Sequence, residues 1–258
     1  MNDGFVKKKG VMIKGSKGTI INIKNGVLSF LNKIHINNNE DYCVASIDYD
    51  KKLECAPEYF LPEREYSPNE IYDCIKKSMI DIISYCIKGG KREHFIKIRE
   101  LLKLNEEVQK YNSITDIFDI CTTKSMNIED YGNGNVPFVT STILNNAVEM
   151  FIDPCETDRK FDAFNISISS FGYANLQVED FIARSHGAVL VLNPKQGITL
   201  SFQELLFYTA FLNLQKWRFS YGGWVTEDRL KKIALQNIDI ICIRETKNIF
   251  NDIVSLLQ

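Results

Sequence analysis

Two kinds of side chain suited to chemistry recur through the second half of this 258-residue sequence. The stretch "PFVTSTILNNAVEMF" sets Thr140, Ser141, Thr142, Asn145 and Asn146 between two apolar runs. "ISISSFGY" adds Ser169, Ser170 and Tyr173, and "FIARSHG" adds Arg184 beside His186. "KWRFSYGGWVTEDRLKK" then gathers Lys216, Arg218, Ser220, Tyr221, Gly222, Arg229 and Lys232, with both tryptophans of the chain. Short polar side chains suit the edges of bases, and asparagine can pair bidentately with adenine. A guanidinium fork matches the oxygens of a phosphate. The series therefore points to a surface that grips a nucleic acid. The bland alternative assigns the aromatics to packing and the cations to a solvated face. Within 216–232, Trp217 and Phe219 read as core or edge packing. Residues 220–223 read as a tight loop that faces the ligand or supports its reader, and Arg218 and Arg229 as phosphate anchors.

Other chemistry leaves little trace. There is no GxSxG, no GxGxxG after a strand and no Asn/Asp-Pro-Pro-aromatic tetrapeptide. Gly15-Ser16-Lys17-Gly18-Thr19 lacks phosphate-loop spacing, and no helix pattern follows it. Asp239 with Glu245-Thr246-Lys247 imitates a Mg²⁺-dependent nuclease, but such matches arise by chance, and a strand end with surface charges is the simpler reading. The cysteines Cys43, Cys55, Cys74, Cys86, Cys121, Cys155 and Cys242 form no CxxC pair, which reads as reduced thiols without a metal site. His35, His94 and His186 stand far apart. No catalytic residue and no metal ligand is assigned. The N-terminus lacks the apolar core of a signal peptide, and no apolar run is long enough to span a bilayer, so the expected location is cytoplasmic without membrane association.

These residues need elements to position them. "GVMIKG", "TIINIK", "VLSFLNKIHI" and "YCVASIDY" predict a small antiparallel sheet in the first fifty residues, with a hairpin at Asn25-Gly26. Residues 53–66 are a connector. Ser67, Pro68 and Glu70 make a helix start, Ile71, Ile75, Met79, Ile82, Ile83 and Cys86 an apolar stripe, and Gly89-Gly90 a stop. A second helix is expected over about 91–111, with Ile96, Leu101, Leu104 and Val108 inward. This helical hairpin can pack on the sheet or against another chain. From Ser113 onward short strands and turns dominate, "GAVLVLNP" reading as a buried strand. Ser201 and Glu204 cap a helix whose packed side carries Leu205, Tyr208, Leu212 and Gln215. Residues 240–258 read as a short strand and then a helix. The fold class is α+β: residues 1–112 form a small antiparallel sheet with a helical hairpin, and residues 113–258 an α/β domain with a C-terminal helix. Net charge divides the same way. Residues 1–112 carry 19 Lys and Arg against 16 Asp and Glu, net +3, and the remainder 12 against 17, net −5. Affinity for a polyanion must come from local clusters or from a partner.

The order "GNVPFVTSTILNNAVEMFIDP … FNISISSFGYANLQVEDF … VLVLNPKQGITLSFQELLFYTAFLN … RFSYGGWVTEDRLKKIAL" resembles the DNA target-recognition domain of type I restriction-modification specificity subunits and type IIB/IIG restriction enzymes. The resemblance covers about 114–240. Ala147 stands where that family usually has glycine after Asn-Asn, Gly222-Gly223-Trp224 replaces a Gly-Arg continuation, and "IALQ" stands where Leu-Pro usually closes the domain. The resemblance implies an α/β domain that reads a few base pairs of double-stranded DNA, in the setting of phage defence. It also implies helices that dock a methyltransferase or restriction subunit, so that S-adenosylmethionine and Mg²⁺ belong to that partner and no cofactor to this chain. The chain is then a non-catalytic specificity subunit, or dimerises to read a bipartite site. Two rivals are an interaction or regulatory protein that kept the fold and lost DNA binding, and a small restriction endonuclease with its activity in 1–112.

Overall fold

The computed structural model describes residues 65–102, 110–185, 188–219, 224–236 and 240–255, together with four strand segments near the N-terminus. Packing divides the chain into two compact units, Met1–Arg64 and Glu65–Gln258. In the first, β1 (Phe5–Lys8) pairs antiparallel with β2 (Val11–Lys14), and β3 (Ile20–Lys24) with β4 (Val27–Leu31). Lys24 opposite Val27 is the register of a two-residue hairpin, as Asn25-Gly26 between them predicts. β1 is an addition, since the lysines of "FVKK" hide its alternation. The fourth expected run, at 42–49, lies outside the described residues.

The second unit opens with α1 (Pro68–Lys88). The Ser67 hydroxyl accepts from the Glu70 amide, and the Glu70 carboxylate accepts from the Ser67 amide, completing the capping box that the sequence signals. The buried face is Ile71, Ile75, Met79, Ile82, Ile83 and Cys86, with Tyr85 added. A second helix, α2 (Arg92–Leu101), follows. Its inward residues are Ile98 and Leu102 with Phe95 partly buried, whereas Ile96 and Leu101 face solvent. The expected stripe is thus out of phase: Phe95, Ile98 and Leu102 also recur at helical spacing, and the Phe95 ring meets Phe250 at 5.3 Å. Leu104 and Val108 lie outside the described residues.

Next come α3 (Ile114–Ile117), β5 (Phe118–Thr122), β6 (Asn133–Val139), β7 (Val148–Ile152), β8 (Lys160–Phe161), β9 (Ile166–Ser169), β10 (Ala174–Leu176), β11 (Phe181–Ala183) and β12 (Val189–Pro194). They make two four-stranded sheets, in the orders β10-β9-β12-β5 and β7-β6-β11-β8. The first is antiparallel throughout, and β6 with β11 is the one parallel pair of the second. Along β6, Val139 enters the main core, while Phe138 faces a small second cluster with Tyr131, Ile152 and Ile182, as a period of two requires.

Helix α4 (Phe202–Leu214) is buried from Phe202 to Leu212 on every side, not along the single side expected. It packs against α1, β10 and the C-terminal helix α6 (Ile240–Ser255), which enclose it, its buried polar residues being Gln203, Glu204 and Thr209. The short α5 (Glu227–Leu230) precedes α6. The strand expected at the start of the tail is helix from Ile240 onward, and Glu245 and Lys247 sit on that helix two residues apart, pointing different ways. Asp239 lies outside the described residues. Because the stripe of α1 is spent on α4 and α6, the helical hairpin packs within the second unit, and the break in packing falls at Arg64/Glu65, where the sequence reading divides the chain at 112.

Candidate nucleic-acid interface

Four loops meet at one end of the two sheets. The last residue of β9, Ser169, pairs with Val189 at the start of β12, and Leu190 pairs with Thr122 at the end of β5. In the other sheet β6 and β11 run parallel and stop side by side at Val139 and Ala183. The Thr123 hydroxyl donates to the carbonyl oxygens of Arg184 (2.8 Å) and Val189 (3.3 Å) and ties the two sheets together there. The Ser185 amide donates to Ser125 Oγ at 3.0 Å, and the Arg184 amide to the Val139 carbonyl at 2.8 Å. The Val225 amide donates to the Ser170 carbonyl, which brings in the segment after residue 223. Gly172, at φ +83°, lies so close to Phe219 and the Lys216 backbone that a Cβ would meet the Phe219 ring at 2.6 Å.

The β6–β7 loop is the most constrained of these. Asn145, Asn146 and Ala147 have φ of 52°, 54° and 63°, three successive left-handed residues without a glycine. Asn146 is buried, its Nδ2 donates to the Leu176 carbonyl at 3.0 Å, and its own carbonyl accepts from Gln177 Nε2 at 3.1 Å. Asn145 is exposed, and its Nδ2 donates to the Val148 carbonyl at 3.2 Å. Thr140 is buried and its hydroxyl accepts from the Thr142 amide. Ser141 and Thr142 are half-buried. Ala147 holds its φ of 63° despite its Cβ.

The remaining candidates divide into presented and enclosed groups. Arg184 and Lys216 are exposed, and the Lys216 ammonium stands 5.2 Å from the centre of the Tyr173 ring. Ser170 and Tyr173 are half-buried, while Ser169 is buried and its hydroxyl accepts from the Tyr173 amide. Arg218 is buried: its Nε donates to Gln215 Oε1 at 2.6 Å and its guanidinium lies 4.7 Å from the Trp217 ring centre. Arg229 donates to the carbonyls of Trp224 and Arg218 and covers the Phe219 ring. Both guanidinium groups tie the chain together around 216–229 and do not stand out as phosphate anchors. Lys232 is exposed beyond α5. Phe219 is core, as expected, and Trp217 is half-buried with its Nε1 donating to the Tyr66 hydroxyl. Ser220, Tyr221, Gly222, Gly223 and His186 lie outside the described residues.

The sequence reading missed several partners. A cleft of about 190 Å³ runs between α1 and these loops, lined on one side by Lys77, Ser78 and Asp81 and on the other by Ile143, Tyr173 and Lys216. Burial pushes the Asp81 carboxyl and the Cys74 thiol up from their ordinary values. Gln177, directly after β10, braces the β6–β7 loop from beneath, and its polar place in the alternating run "ANLQVED" gives no sign in the sequence that it is buried. Away from this end, Tyr85, Lys91 and His94 converge on Glu179, and the Lys91 ammonium also stands 4.4 Å from the Phe151 ring centre, pinning the helical hairpin to the second sheet. Among the described residues no group of His, Cys, Asp and Glu is placed to hold a metal ion, and no helix is long and apolar enough to cross a membrane.

Residues 105–251, more than half of the chain, match the family model of the type I restriction modification DNA specificity domain. No curated protein matches. Among solved structures, the S subunit of a type I restriction-modification system from M. genitalium is 15% identical with a TM-score of 0.41, over 74% of this chain and 50% of that one. The HsdS subunit from Thermoanaerobacter tengcongensis is 12% identical with a TM-score of 0.39, over 73% and 51%. A chain from a structure of type I R-M complex assembly and conformational transition is 13% identical with a TM-score of 0.42, over 72% and 50%. The chain spans about half the length of these solved chains.

Proposed function

Because the chain belongs to the type I restriction modification DNA specificity domain family, we propose that its second unit reads a short stretch of double-stranded DNA with the loop end described above. The observation that carries this reading is the convergence of the polar loops at one end of both sheets, on a braced and left-handed backbone. Ser141, Thr142, Asn145, Ser170 and Tyr173 meet base edges in this arrangement, and Arg184 and Lys216 meet phosphates. Thr140, Asn146, Ser169, Arg218 and Arg229 hold the readers in place. Nothing in this division of roles requires the chain to break or form a bond. Methylation or cleavage falls to a separate methyltransferase or restriction subunit, which carries S-adenosylmethionine and Mg²⁺. The outward side of α1 and α2, where Ile80, Ile87 and Ile96 are exposed, is the surface assigned to that partner, and a second copy of the chain would supply a second half-site. Selection from a random duplex library, with and without a methyltransferase subunit from the same host, tests the reading. Enrichment of one short motif is expected. Failure to enrich any motif in either condition would leave an interaction protein as the better account.

A further inference from the structure

The tip of the β6–β7 loop carries two large aliphatic side chains that the base-reading account leaves unused. Ile143 is 62% exposed and Leu144 is 69% exposed. Single exposed aliphatics are ordinary on a protein surface. Two in succession at the tip of a tightly held loop are not, because a tip free of other duties is served as well by Ser, Asn or Gly. The loop is held from both sides. The Leu144 carbonyl accepts from the Ala147 amide at 2.9 Å, the Leu144 amide donates to Thr142 Oγ1 at 3.3 Å, and the Thr140 amide donates to the Ala147 carbonyl at 2.9 Å. Asn146 is locked from beneath by Leu176 and Gln177. Strained backbone of this kind persists where its surroundings over-determine it, and it keeps the tip from folding its aliphatics back into the core.

We propose that Ile143 and Leu144 form an apolar wedge that enters a base step of the bound duplex, unstacking it and bending the DNA. The proposal rests on the DNA reading above. Leucine and isoleucine are side chains that proteins insert between base pairs, kinking the duplex by about 20–90°. The surroundings favour DNA over a protein partner. Ser141, Thr142 and Asn145 flank the tip with hydrogen-bonding groups, and Ile143 lines the same cleft as Lys77 and Lys216, which places cations beside the apolar tip for the strands it parts. Two exposed aliphatics flanked in the chain by polar residues, the first of them in a cleft with Lys77, Asp81 and Lys216, are few for a protein interface and well sized for one base step. The wedge also gives the loop a means of reading sequence without touching base edges, since pyrimidine–purine steps unstack at least cost.

The test uses the full chain and the duplex enriched from the random library, with 2-aminopurine placed in turn at each position of the site and dyes at the two ends. Wild-type protein is expected to raise 2-aminopurine fluorescence several-fold at one step and to shorten the end-to-end distance. The Ile143→Ser/Leu144→Ser double variant should bind with the same salt slope, lose both signals, and unfold at the same denaturant concentration as wild type. The conservative Ile143→Val/Leu144→Met pair should keep both signals. Tight wild-type binding with no fluorescence rise at any position overturns the wedge and leaves the DNA reading intact. Absence of any bound duplex defeats both together. Loss of methyltransferase co-purification in the serine variant, with unchanged fluorescence, would assign the tip to the partner and overturn the wedge.

Discussion

Replacing Asn146 by alanine separates a reader from a brace. The amide of Asn146 is buried, donates to the Leu176 carbonyl at 3.0 Å, and sits on a residue with φ 54°. Removing a donor from a buried carbonyl costs about 1–3 kcal/mol. Asparagine tolerates the left-handed region better than alanine does, which adds about 1 kcal/mol. Asn146→Ala should therefore lose about 2–4 kcal/mol of a total stability on the order of 5–15 kcal/mol. With a urea slope of about 2–3 kcal/mol per M, the unfolding midpoint drops by about 0.7–2 M. Asn145→Ala should lose about half as much, because its hydrogen bond is at an exposed side chain. Urea titration followed by circular dichroism reads both variants. DNA binding by Asn146→Ala should weaken alike on the enriched and a scrambled duplex, since the whole loop loosens. An unchanged midpoint together with relaxed preference at a single base pair would refute the brace and make Asn146 the reader that its residue type suggests.

Three further outcomes follow from the same geometry. Arg218→Ala should destabilise by about 1–3 kcal/mol through lost buried hydrogen bonding and leave the salt slope of binding unchanged, whereas Arg184→Ala and Lys216→Ala should cost about 0.5 kcal/mol or less of stability and each lower the slope by about one; equal slopes for all three would erase the distinction between enclosed and presented cations. Ala147→Gly should change stability by about 1 kcal/mol or less, because relief of the left-handed Cβ strain offsets the lost methyl burial and the greater freedom of an unfolded glycine, and a loss of several kcal/mol in a urea titration would contradict φ 63° at that residue. The Cys155 thiol is held below its ordinary value by the Thr157 backbone amide, and burial pushes Cys86 up to about 11. Since the thiolate is the nucleophile, iodoacetamide near neutral pH should label Cys155 well before Cys86 by peptide mass mapping, and rapid labelling of Cys86 would mean that α1 does not stay packed.

Local signals in the sequence carry much of the fold. The capping boxes at Ser67 and Ser201, the stripe of α1, the paired strands around the Thr140–Asn146 loop and the buried run at 189–192 all depend on residues a few positions apart. What long-range packing decides is harder to read. The face of α2 is chosen by Phe250, more than a hundred residues away, and two phases of its apolar residues are compatible with a helix. The membership of α1 in the second unit depends on α4 and α6, which cover its stripe. At the candidate site the residues that the sequence singles out do lie in or beside loops, and which of their side chains are enclosed is not legible in it. Residue type alone makes Asn146 and Arg218 look like ligand-binding groups, because a buried amide and a buried guanidinium use the same hydrogen bonds on backbone and side-chain partners that they would use on DNA.

That division of roles limits how much of the binding can be electrostatic. With Arg218 enclosed, and Arg229 and the exposed Arg159 turned onto backbone carbonyls, the presented cations among the described residues around the loop end and its cleft are Lys77, Lys124, Arg184 and Lys216. If each neutralises one phosphate, the logarithm of the affinity should fall with the logarithm of salt concentration at a slope of about −3.6, at about −0.9 per phosphate. Raising salt from about 50 to about 200 mM would then weaken binding about 150-fold. With 21 Lys and Arg against 25 Asp and Glu over residues 65–258, net −4, the second unit has little diffuse positive field to add, so the slope should stay near this value on the enriched duplex. Fluorescence anisotropy across a salt series measures it. A slope near zero would remove phosphate contact from this end of the molecule. A slope about twice as steep would require cations elsewhere, and the first unit, with 10 Lys and Arg against 8 Asp and Glu over residues 1–64, is where substitution should then reduce it.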